Sequence, residues 1–279
     1  MNKDRVKGML WGLLVGDALG SPIQFSGKDS HPRITEMVEC PVFHLPPGYW
    51  TDDGSMALCV MESYSRLGKY ELKDIAANFV RWHDEGFLSS VDGRSFDVGF
   101  ATASACSGLR RGRYVNGSED SQGNGSIMRF APSYLIARHE GRPEIIHEVS
   151  DLTHSSARVR EVCDRFAVIL DEHLSGERTA LASEYSSREA VNNSGWAVST
   201  LEAALWAFQA TASFEDGMIA AVNLGGDSDT IGAVYGQLAG AYYGYEAIPP
   251  RWLDKMKDRI KLDEMINRFV SLIGSLGVQ

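Results

Sequence analysis

Two short acidic stretches, far apart in the 279-residue chain, combine residue types that bind metals. They are Thr51-Asp-Asp53 and Asp227-Ser-Asp-Thr230, and each has a threonine and two carboxylates at the start of a predicted helix. Mg²⁺ and Mn²⁺ prefer carboxylate, hydroxyl and water oxygens. Gly225 and Gly226 allow a backbone turn tight enough to aim several oxygens at one point. Together the stretches would supply about enough oxygens for two octahedral ions once water and substrate complete the shells.

The same aspartates have a simpler interpretation as helix N-caps. A carboxylate at a helix start accepts hydrogen bonds from the free amides of the first turn. The interpretations differ in geometry, because a metal site requires 51–53 and 227–230 to meet in the fold, whereas caps can lie far apart. Four clustered carboxylates would repel one another strongly without a cation. A shared site is therefore expected to bind divalent cations.

Apolar residues recur at helical spacing along most of the chain, and alternating strand patterns are almost absent. The first predicted helix runs from Arg5 to Leu19 and ends at Gly20-Ser-Pro22, a typical stop signal. Another predicted helix follows Asp53, and a further one starts near Val98. The other predicted helices cover 72–83, 145–152, 159–170, 198–208, 219–222, 231–242 and 260–273. This pattern predicts an all-α protein.

The chain shows no internal boundary. No shift in composition and no linker rich in Pro or Ser divides it, so residues 1–279 are expected to form a single compact multi-helix domain. Residues 21–50 carry five prolines and little periodicity. Irregular segments of this length inside a compact domain are usually functional. The polar segment 175–195 is interpreted as a loop between helices.

Composition and charge argue against several functions and locations. The chain has 27 basic and 37 acidic residues, a formal charge of −10 and no run of Lys or Arg, so nonspecific nucleic-acid binding is not expected. The four cysteines are widely spaced, which is typical of reduced thiols in the cytoplasm. Residues 3–21 imitate a secretory signal, but their apolar run is short and Asp17 interrupts it. A cytoplasmic protein without a membrane span is expected.

Five motifs occur in a fixed order along the chain. They are Gly16-Asp-Ala-Leu-Gly-Ser-Pro22, Trp50-Thr-Asp-Asp-Gly-Ser55, Gly123-Asn-Gly-Ser-Ile-Met-Arg129, Thr153-His-Ser155 and Asn223-Leu-Gly-Gly-Asp-Ser-Asp-Thr-Ile-Gly232. The ordered set resembles the ADP-ribosylglycohydrolase family, which includes dinitrogenase reductase-activating glycohydrolase and the ADP-ribosylarginine and ADP-ribosylserine hydrolases. The resemblance implies an all-α fold around two Mg²⁺ or Mn²⁺ ions. It also implies hydrolysis of the bond between ADP-ribose and its acceptor.

The resemblance assigns metal-binding roles to both acidic stretches. In the family the ions bind hydroxyls of the distal ribose and orient a water toward its anomeric carbon. Asp229 matches the position that bridges the two ions. The implied ligands are Thr51, Asp52, Asp53, Asp227, Asp229 and Thr230.

The glycine-rich segment 123–128 resembles the family loop that approaches the diphosphate and ribose. Backbone amides on such a loop suit phosphate oxygens, although an ordinary glycine turn before a helix is the alternative. His154 matches a family position near the ligand, whereas a lone loop histidine is otherwise most often a surface residue. The implied substrate-binding residues are Gly123, Asn124, Gly125, Ser126, Met128 and His154.

The catalytic group implied by the resemblance contains Asp97, Gln24 and Asp53. Asp97 matches a family carboxylate near the scissile bond, with helix N-capping as the alternative. Gln24 departs from the pattern, because many members carry Glu at this position. Gln can orient a water but cannot accept or deliver a proton at neutral pH. If Asp97 carries the proton instead, Asp97→Asn abolishes hydrolysis and Gln24→Glu preserves or raises it.

The sequence therefore predicts an ADP-ribosyl hydrolase whose substrate is an ADP-ribosylated protein or a small ADP-ribose conjugate, with ADP-ribosyl-arginine as the first choice. Gln24 leaves open a second hypothesis, a non-catalytic ADP-ribose-binding relative. A metal phosphohydrolase acting on a nucleotide is a third. Release of ADP-ribose would identify the hydrolase, and binding without turnover the non-catalytic relative. Release of phosphate would identify the phosphohydrolase.

Overall fold

The structure is a computed structural model that describes residues 2–274. These residues form helices and loops and contain no β-strand, so the predicted all-α class is confirmed. Short 3₁₀ helices cover Ser21–Ile23, Asn124–Ser126 and Tyr245–Ala247. The α-helices are α1 (Lys3–Gly20), α2 (Asp52–Leu67), α3 (Leu72–Glu85), α4 (Phe100–Leu109), α5 (Phe130–Glu140), α6 (Ile145–Asp151), α7 (Ala157–Ser175), α8 (Ala197–Gln209), α9 (Phe214–Val222), α10 (Ser228–Tyr243), α11 (Pro250–Leu253) and α12 (Arg259–Ile273).

The helix prediction needs correction at α4, α5 and α11. The helix expected near Val98 begins at Phe100, because Gly99 keeps an extended backbone with φ −61° and ψ 149°. Helices α5 and α11 were not predicted, and Pro132 lies within α5. Proline is tolerated there because the amides of a first helical turn have no intrahelical partner. The segment 175–195, interpreted as a loop, contains no helix after Ser175, which is the last residue of α7.

Helices α1 and α10 form the centre of the molecule. Their glycines face each other, and a methyl group added at Gly12 would overlap the carbonyl oxygen of Gly236. A methyl group added at Gly16 would likewise overlap the carbonyl oxygen of Gly232. Such contacts bring two helix backbones together more closely than any side chain would allow. At one end of this pair, the Ser228 hydroxyl donates to the Gly20 carbonyl at 2.9 Å, so the end of α1 lies beside the start of α10.

Asp17 attaches the first acidic stretch to α1. Its buried carboxylate accepts hydrogen bonds from the backbone amide of Thr51 at 2.9 and 3.0 Å and from that of Gly54 at 2.8 Å. These are amides of the first turn of α2, so a residue 34 positions upstream caps that helix. Asp17 therefore places 51–53 next to the junction of α1 and α10.

One continuous cluster of buried hydrophobic residues extends through the described part of the chain, from Val6 to Ile273. The four cysteines are free and buried. In residues 2–274, each helix is too short or too polar to cross a membrane.

Candidate active site

The two acidic stretches meet at one cavity. The Thr230 hydroxyl lies 3.5 Å from a carboxylate oxygen of Asp53, although 177 residues separate them in sequence. Asp52, Asp53 and Asp229 are all buried. The geometric requirement for a shared site is therefore met, and two caps lying far apart are excluded.

The side chains of these stretches do not act as helix caps. Thr51 precedes α2 and Asp227 precedes α10, but neither side chain accepts a hydrogen bond from the first turn of its helix. Asp17 supplies the cap of α2 instead. The N-cap interpretation is thus wrong for both stretches.

The cavity has a volume of about 390 Å³, which lies within the range of small-molecule sites. Twelve of the predicted site residues line it: Gln24, Asp52, Asp53, Asp97, Gly123, Asn124, Gly125, Met128, His154, Asp227, Asp229 and Thr230. Two others, Thr51 and Ser126, do not. The Ser126 hydroxyl instead lies 2.7 Å from that of Ser150, within a buried pair.

Burial and mutual repulsion make this cavity electrostatically unusual. Loss of solvent raises the pKa of Asp52, Asp53 and Asp229 well above the usual value, and repulsion among neighbouring carboxylates raises it further. Burial also raises the pKa of Asp17 to about 7, even though backbone amides donate to it. The cluster therefore favours bound protons or cations over a fully ionised, empty state.

Three buried oxygens of the acidic stretches have no hydrogen-bond partner, namely Thr51 Oγ1, Asp53 Oδ2 and Asp229 Oδ1. Buried polar atoms are normally satisfied, so these oxygens have capacity for a further ligand. Carboxylate and hydroxyl oxygens fit Mg²⁺ or Mn²⁺. Within residues 2–274, no group of three or more His, Cys, Asp or Glu side chains is arranged as a complete metal-binding set. The donor chemistry fits divalent cations, whereas the carboxylate geometry does not by itself define an ion site.

Asn124 links the glycine loop to the second acidic stretch. Its side-chain amide donates to Asp227 Oδ2 at 2.6 Å and to the Thr200 hydroxyl at 3.0 Å. Its backbone amide donates to the Gly195 carbonyl at 3.0 Å. The loop is therefore fixed against two other segments, as a binding loop requires and an isolated glycine turn does not.

Gln24 and Asp97 form a pair at the cavity wall. The Gln24 amide donates to Asp97 Oδ2 at 2.9 Å. Burial raises the pKa of Asp97, and the hydrogen bond from Gln24 opposes that rise. Asp97 adopts a left-handed backbone conformation with φ 56°, and the cap position of α4 belongs to Gly99. The alternative that Asp97 caps this helix is therefore wrong.

Two exposed aromatic residues on the cavity wall were not anticipated. Phe25 is 69% exposed and Phe100 is 91% exposed. Phe25 has a left-handed backbone with φ 65°, which is rare for a bulky residue. Its amide donates to the Gly226 carbonyl at 2.6 Å, so the second acidic stretch fixes its place. In the sequence, only their positions directly after Gln24 and Gly99 indicated that Phe25 and Phe100 lie near the site.

Fold and site together define a class: an all-α protein with a buried, carboxylate-rich cavity bordered by a glycine loop. Fixed negative charge of this kind can stabilise the positive charge that develops when a glycosidic bond breaks. Residues 1–277 match the sequence model of the family described as ADP-ribosylglycohydrolase. The chain belongs to the ADP-ribosylglycohydrolase family, and the predicted family is confirmed.

Relatives of known name agree with this assignment. The chain is 39% identical to the ADP-ribosylarginine hydrolase Tri1 of Pseudomonas putida (strain GB-1), over 91% of this chain and 74% of the relative. It is 30% identical to the ADP-ribosyl-[dinitrogen reductase] glycohydrolase of Rhodospirillum rubrum, over 98% and 96% of the two chains. A solved structure titled ADP-ribosylglycohydrolase-related protein complex matches with a TM-score of 0.83 and 35% identity, over 97% of this chain and 98% of that chain.

These matches confirm the predicted enzyme class, a hydrolase of glycosidic bonds to ADP-ribose. They do not favour the non-catalytic alternative. The roles of individual residues, the cations and the acceptor stay predictions.

Proposed function

We propose that this chain hydrolyses the bond between ADP-ribose and the guanidine nitrogen of a modified arginine, with two divalent cations, Mg²⁺ or Mn²⁺, as cofactors. The observation that carries the proposal is that the acidic cluster, the glycine loop and Asp97 all line one cavity. The name of the Pseudomonas putida relative, an ADP-ribosylarginine hydrolase, supports the choice of acceptor.

The glycine loop would bind the diphosphate and ribose. It is held by Asn124, whose bonds to Asp227 and Gly195 leave little freedom to the loop backbone. A preformed binding loop loses little conformational entropy when the ligand enters. The anomeric carbon would then lie on the acidic side of the cavity.

The six oxygen-bearing residues of the two stretches would bind the cations: Thr51, Asp52, Asp53, Asp227, Asp229 and Thr230. The unpaired oxygens of Thr51, Asp53 and Asp229 support this assignment. When bound, the cations would supply Lewis acidity at the ribose hydroxyls. Ionised carboxylates nearby stabilise the oxocarbenium character of the transition state.

Proton transfer is assigned to Asp97. Its carboxylate accepts a proton from the attacking water as the new bond from oxygen to the anomeric carbon forms. It returns that proton to the guanidine nitrogen as the carbon–nitrogen bond breaks. Water has then given its OH to ADP-ribose and its remaining hydrogen to the guanidine, arginine leaves as the guanidinium cation, and Asp97 is again a carboxylate. Gln24 donates to Asp97 and thereby orients it.

Arginine is favoured as acceptor because of the groups around Asp97. A carboxylate that lines the same cavity as the exposed residues Phe25 and Phe100 is suited to a planar cation, since guanidinium groups bind carboxylates and stack on aromatic faces. Serine-linked and acetyl-linked conjugates carry no such cation. The wall therefore discriminates by charge and shape.

The test is an assay of the purified protein on arginine-linked, serine-linked and O-acetyl-linked ADP-ribose, with and without a chelator. Release of ADP-ribose from the arginine conjugate, lost with chelator and restored by Mg²⁺ or Mn²⁺, is expected. Cleavage of the serine conjugate alone would contradict the acceptor, and full activity in chelator would contradict the cations. Binding of ADP-ribose without any turnover would identify the non-catalytic relative, and released phosphate a phosphohydrolase.

A further inference from the structure

Arg129 is an unusual residue because it is fully buried and its contacts within 2–274 are hydrogen bonds and an aromatic ring, not an ion pair. Burial lowers its pKa to about 10, so it still carries its charge at neutral pH. One guanidinium nitrogen donates to the Gly125 carbonyl, and the other donates to the Thr153 hydroxyl at 2.6 Å. Burying a charge is costly unless hydrogen bonds compensate it. These two bonds therefore tie the glycine loop and Thr153 to one fixed point.

The bond to Thr153 has a consequence for His154. Thr153 Oγ1 lies 2.8 Å from Nδ1 of His154. A guanidinium can only donate, so the Thr153 oxygen is the acceptor in its bond to Arg129. Its single hydrogen then has one acceptor among the described residues, the Nδ1 atom of His154. If Nδ1 carried the proton instead, the buried hydroxyl hydrogen of Thr153 would have no acceptor among the described residues, which is costly. The hydrogen bonds therefore favour an unprotonated Nδ1, with the ring proton of a neutral His154 on Nε2.

His154 is positioned against the glycine loop. A methyl group added at Gly125 would lie 2.5 Å from His154 Cε1, and one added at Gly123 would lie 3.3 Å from Nε2. The ring is buried but lines the cavity. Nε2 makes no hydrogen bond to another residue in 2–274, whereas Nδ1 is occupied by Thr153. An Nε2–H group beside Gly123 is thus available to a bound molecule.

We infer that Arg129 and Thr153 are positioning residues that hold His154 as the neutral Nε2–H tautomer, whose N–H donates to an oxygen of the ADP-ribose bound in the cavity. The oxygen belongs to the diphosphate or to a ribose hydroxyl, both of which accept such a bond. The inference rests on the proposed function for the identity of the ligand. The tautomer itself rests on the hydrogen bonds of Thr153 and not on the identity of the ligand.

Charge considerations agree with a neutral donor. Burial, and to a lesser degree the nearby Arg129, lowers the pKa of His154 to about 3. An imidazolium is disfavoured next to a buried guanidinium, so the donor persists without titrating at neutral and mildly acidic pH.

The experiment compares Thr153→Val, which keeps the side-chain shape but loses the hydroxyl, with Thr153→Ser, which keeps the hydroxyl. The tautomer is read from the ¹⁵N chemical shifts of the His154 ring, and the dissociation constant of free ADP-ribose is measured by calorimetry. The wild type and Thr153→Ser are expected to show Nε2 protonated and to bind alike. Thr153→Val is expected to show a mixture of tautomers and about tenfold weaker binding, the size of one hydrogen bond.

Two further variants complete the design. Arg129→Lys keeps the charge without the paired donors and is expected to weaken binding as Thr153→Val does. Adding Thr153→Val to His154→Ala is expected to cause no further loss, because the hydroxyl acts through the ring.

An Nδ1-protonated ring in the wild type, or unchanged tautomer and affinity in Thr153→Val, would overturn the inference. These readouts need no hydrolysis. Failure to cleave the arginine conjugate would therefore count against the proposed function and leave the inference standing.

Discussion

Gln24 and Asp97 differ in what they can contribute to the reaction, although one hydrogen bond of 2.9 Å joins them. A glutamine donates and accepts hydrogen bonds but does not exchange a proton at neutral pH. Asp97 is the only titratable member of the pair. In the proposed mechanism, Gln24, the residue that departs from the family pattern, therefore orients Asp97, and Asp97 is the residue expected to transfer the proton.

The Asp97→Asn variant is expected to lose hydrolysis of ADP-ribosyl-arginine by at least about 100-fold in kcat, the usual contribution of a general acid–base residue. Gln24→Glu, measured in the same ADP-ribose release assay, is expected to preserve or raise activity. The affinity for free ADP-ribose serves as the control for folding. Full activity of Asp97→Asn would refute the assignment.

The Phe100→Ala variant is expected to raise KM for the arginine conjugate about two- to fivefold, because an exposed cation–π contact contributes roughly 0.5–1 kcal/mol. The affinity for free ADP-ribose should not change, since that ligand has no guanidinium. Ile260→Ala is a suitable control, because Ile260 is also exposed but does not line the cavity. Equal effects of both substitutions on KM would exclude a specific role for Phe100.

At the scale of elements, the close packing of α1 against α10 decides where the site lies. Gly12 and Gly16 contact Gly236 and Gly232 through backbone atoms, and the Ser228–Gly20 bond fixes the end of this pair. Asp17 then adds α2 by capping it. The glycines let α1 and α10 approach closely, and the buried carboxylate of Asp17 attaches α2. Three segments far apart in sequence therefore meet at one site.

The Gly12→Ala variant is expected to destabilise the protein by about 2 kcal/mol or more, because the added methyl group overlaps the Gly236 backbone and neither helix can move without losing other contacts. Gly27→Ala is the matched control, since its methyl group meets no atom closer than Ser30 Oγ at 3.5 Å. Urea unfolding of both variants measures the difference. Equal stabilities would show that the helix pair tolerates separation.

At the scale of the whole molecule, the carboxylates of the site are part of a chain with a formal charge of −10. Burial and mutual repulsion make the ionised form of these carboxylates unfavourable. The carboxylates therefore oppose folding until cations or protons compensate their charge. Stability should therefore depend on divalent cations, independently of catalysis.

Saturating Mg²⁺ or Mn²⁺ is expected to raise Tm by roughly 5 °C, because a ligand at 100 times its Kd adds about 2.7 kcal/mol to the free energy of unfolding. Asp229→Asn removes one repelling carboxylate, so its Tm without cations should equal or exceed that of the wild type while its response to cations falls. Asp92→Asn, on the surface and outside the cavity, should respond like the wild type. Scanning calorimetry with and without chelator measures these differences, and a wild-type Tm indifferent to both cations would contradict the proposed cofactor.

The buried His173 gives stability a second dependence on conditions. Burial lowers its pKa from 6.5 to about 4, and its Nδ1 lies 2.7 Å from the Leu238 carbonyl. The unfolded chain binds a proton below pH 6.5 while the folded chain does not, so this contribution is complete above pH 6.5 and is lost as pH falls toward 4. Its share between pH 7 and 5 is on the order of 2 kcal/mol.

The His173→Asn variant keeps a donor for Leu238 but does not titrate. It is expected to be less stable than the wild type at pH 7 and to lose less stability between pH 7 and 5. Urea unfolding at both values checks this. Parallel losses in the two proteins would show that His173 does not titrate in this range.

The sequence by itself determined the all-α class and the family, because helical periodicity and short motifs are local and need no knowledge of the fold. It also identified the acidic stretches and the glycine loop, since their residue types indicate which ligands they can bind. The loop 176–195 followed from composition in the same way. Roles assigned to individual residues came from the resemblance.

Only the tertiary structure decided which of these residues act together. Asp53 and Thr230 are 177 residues apart, and Gln24 and Asp97 are 73 apart, so their meeting depends on how the helices pack. The exposed Phe100 and the bonds of Arg129 to the loop were likewise invisible in the sequence. Contacts of this kind are the sum of many packing interactions spread over the whole core, and no local pattern encodes that sum.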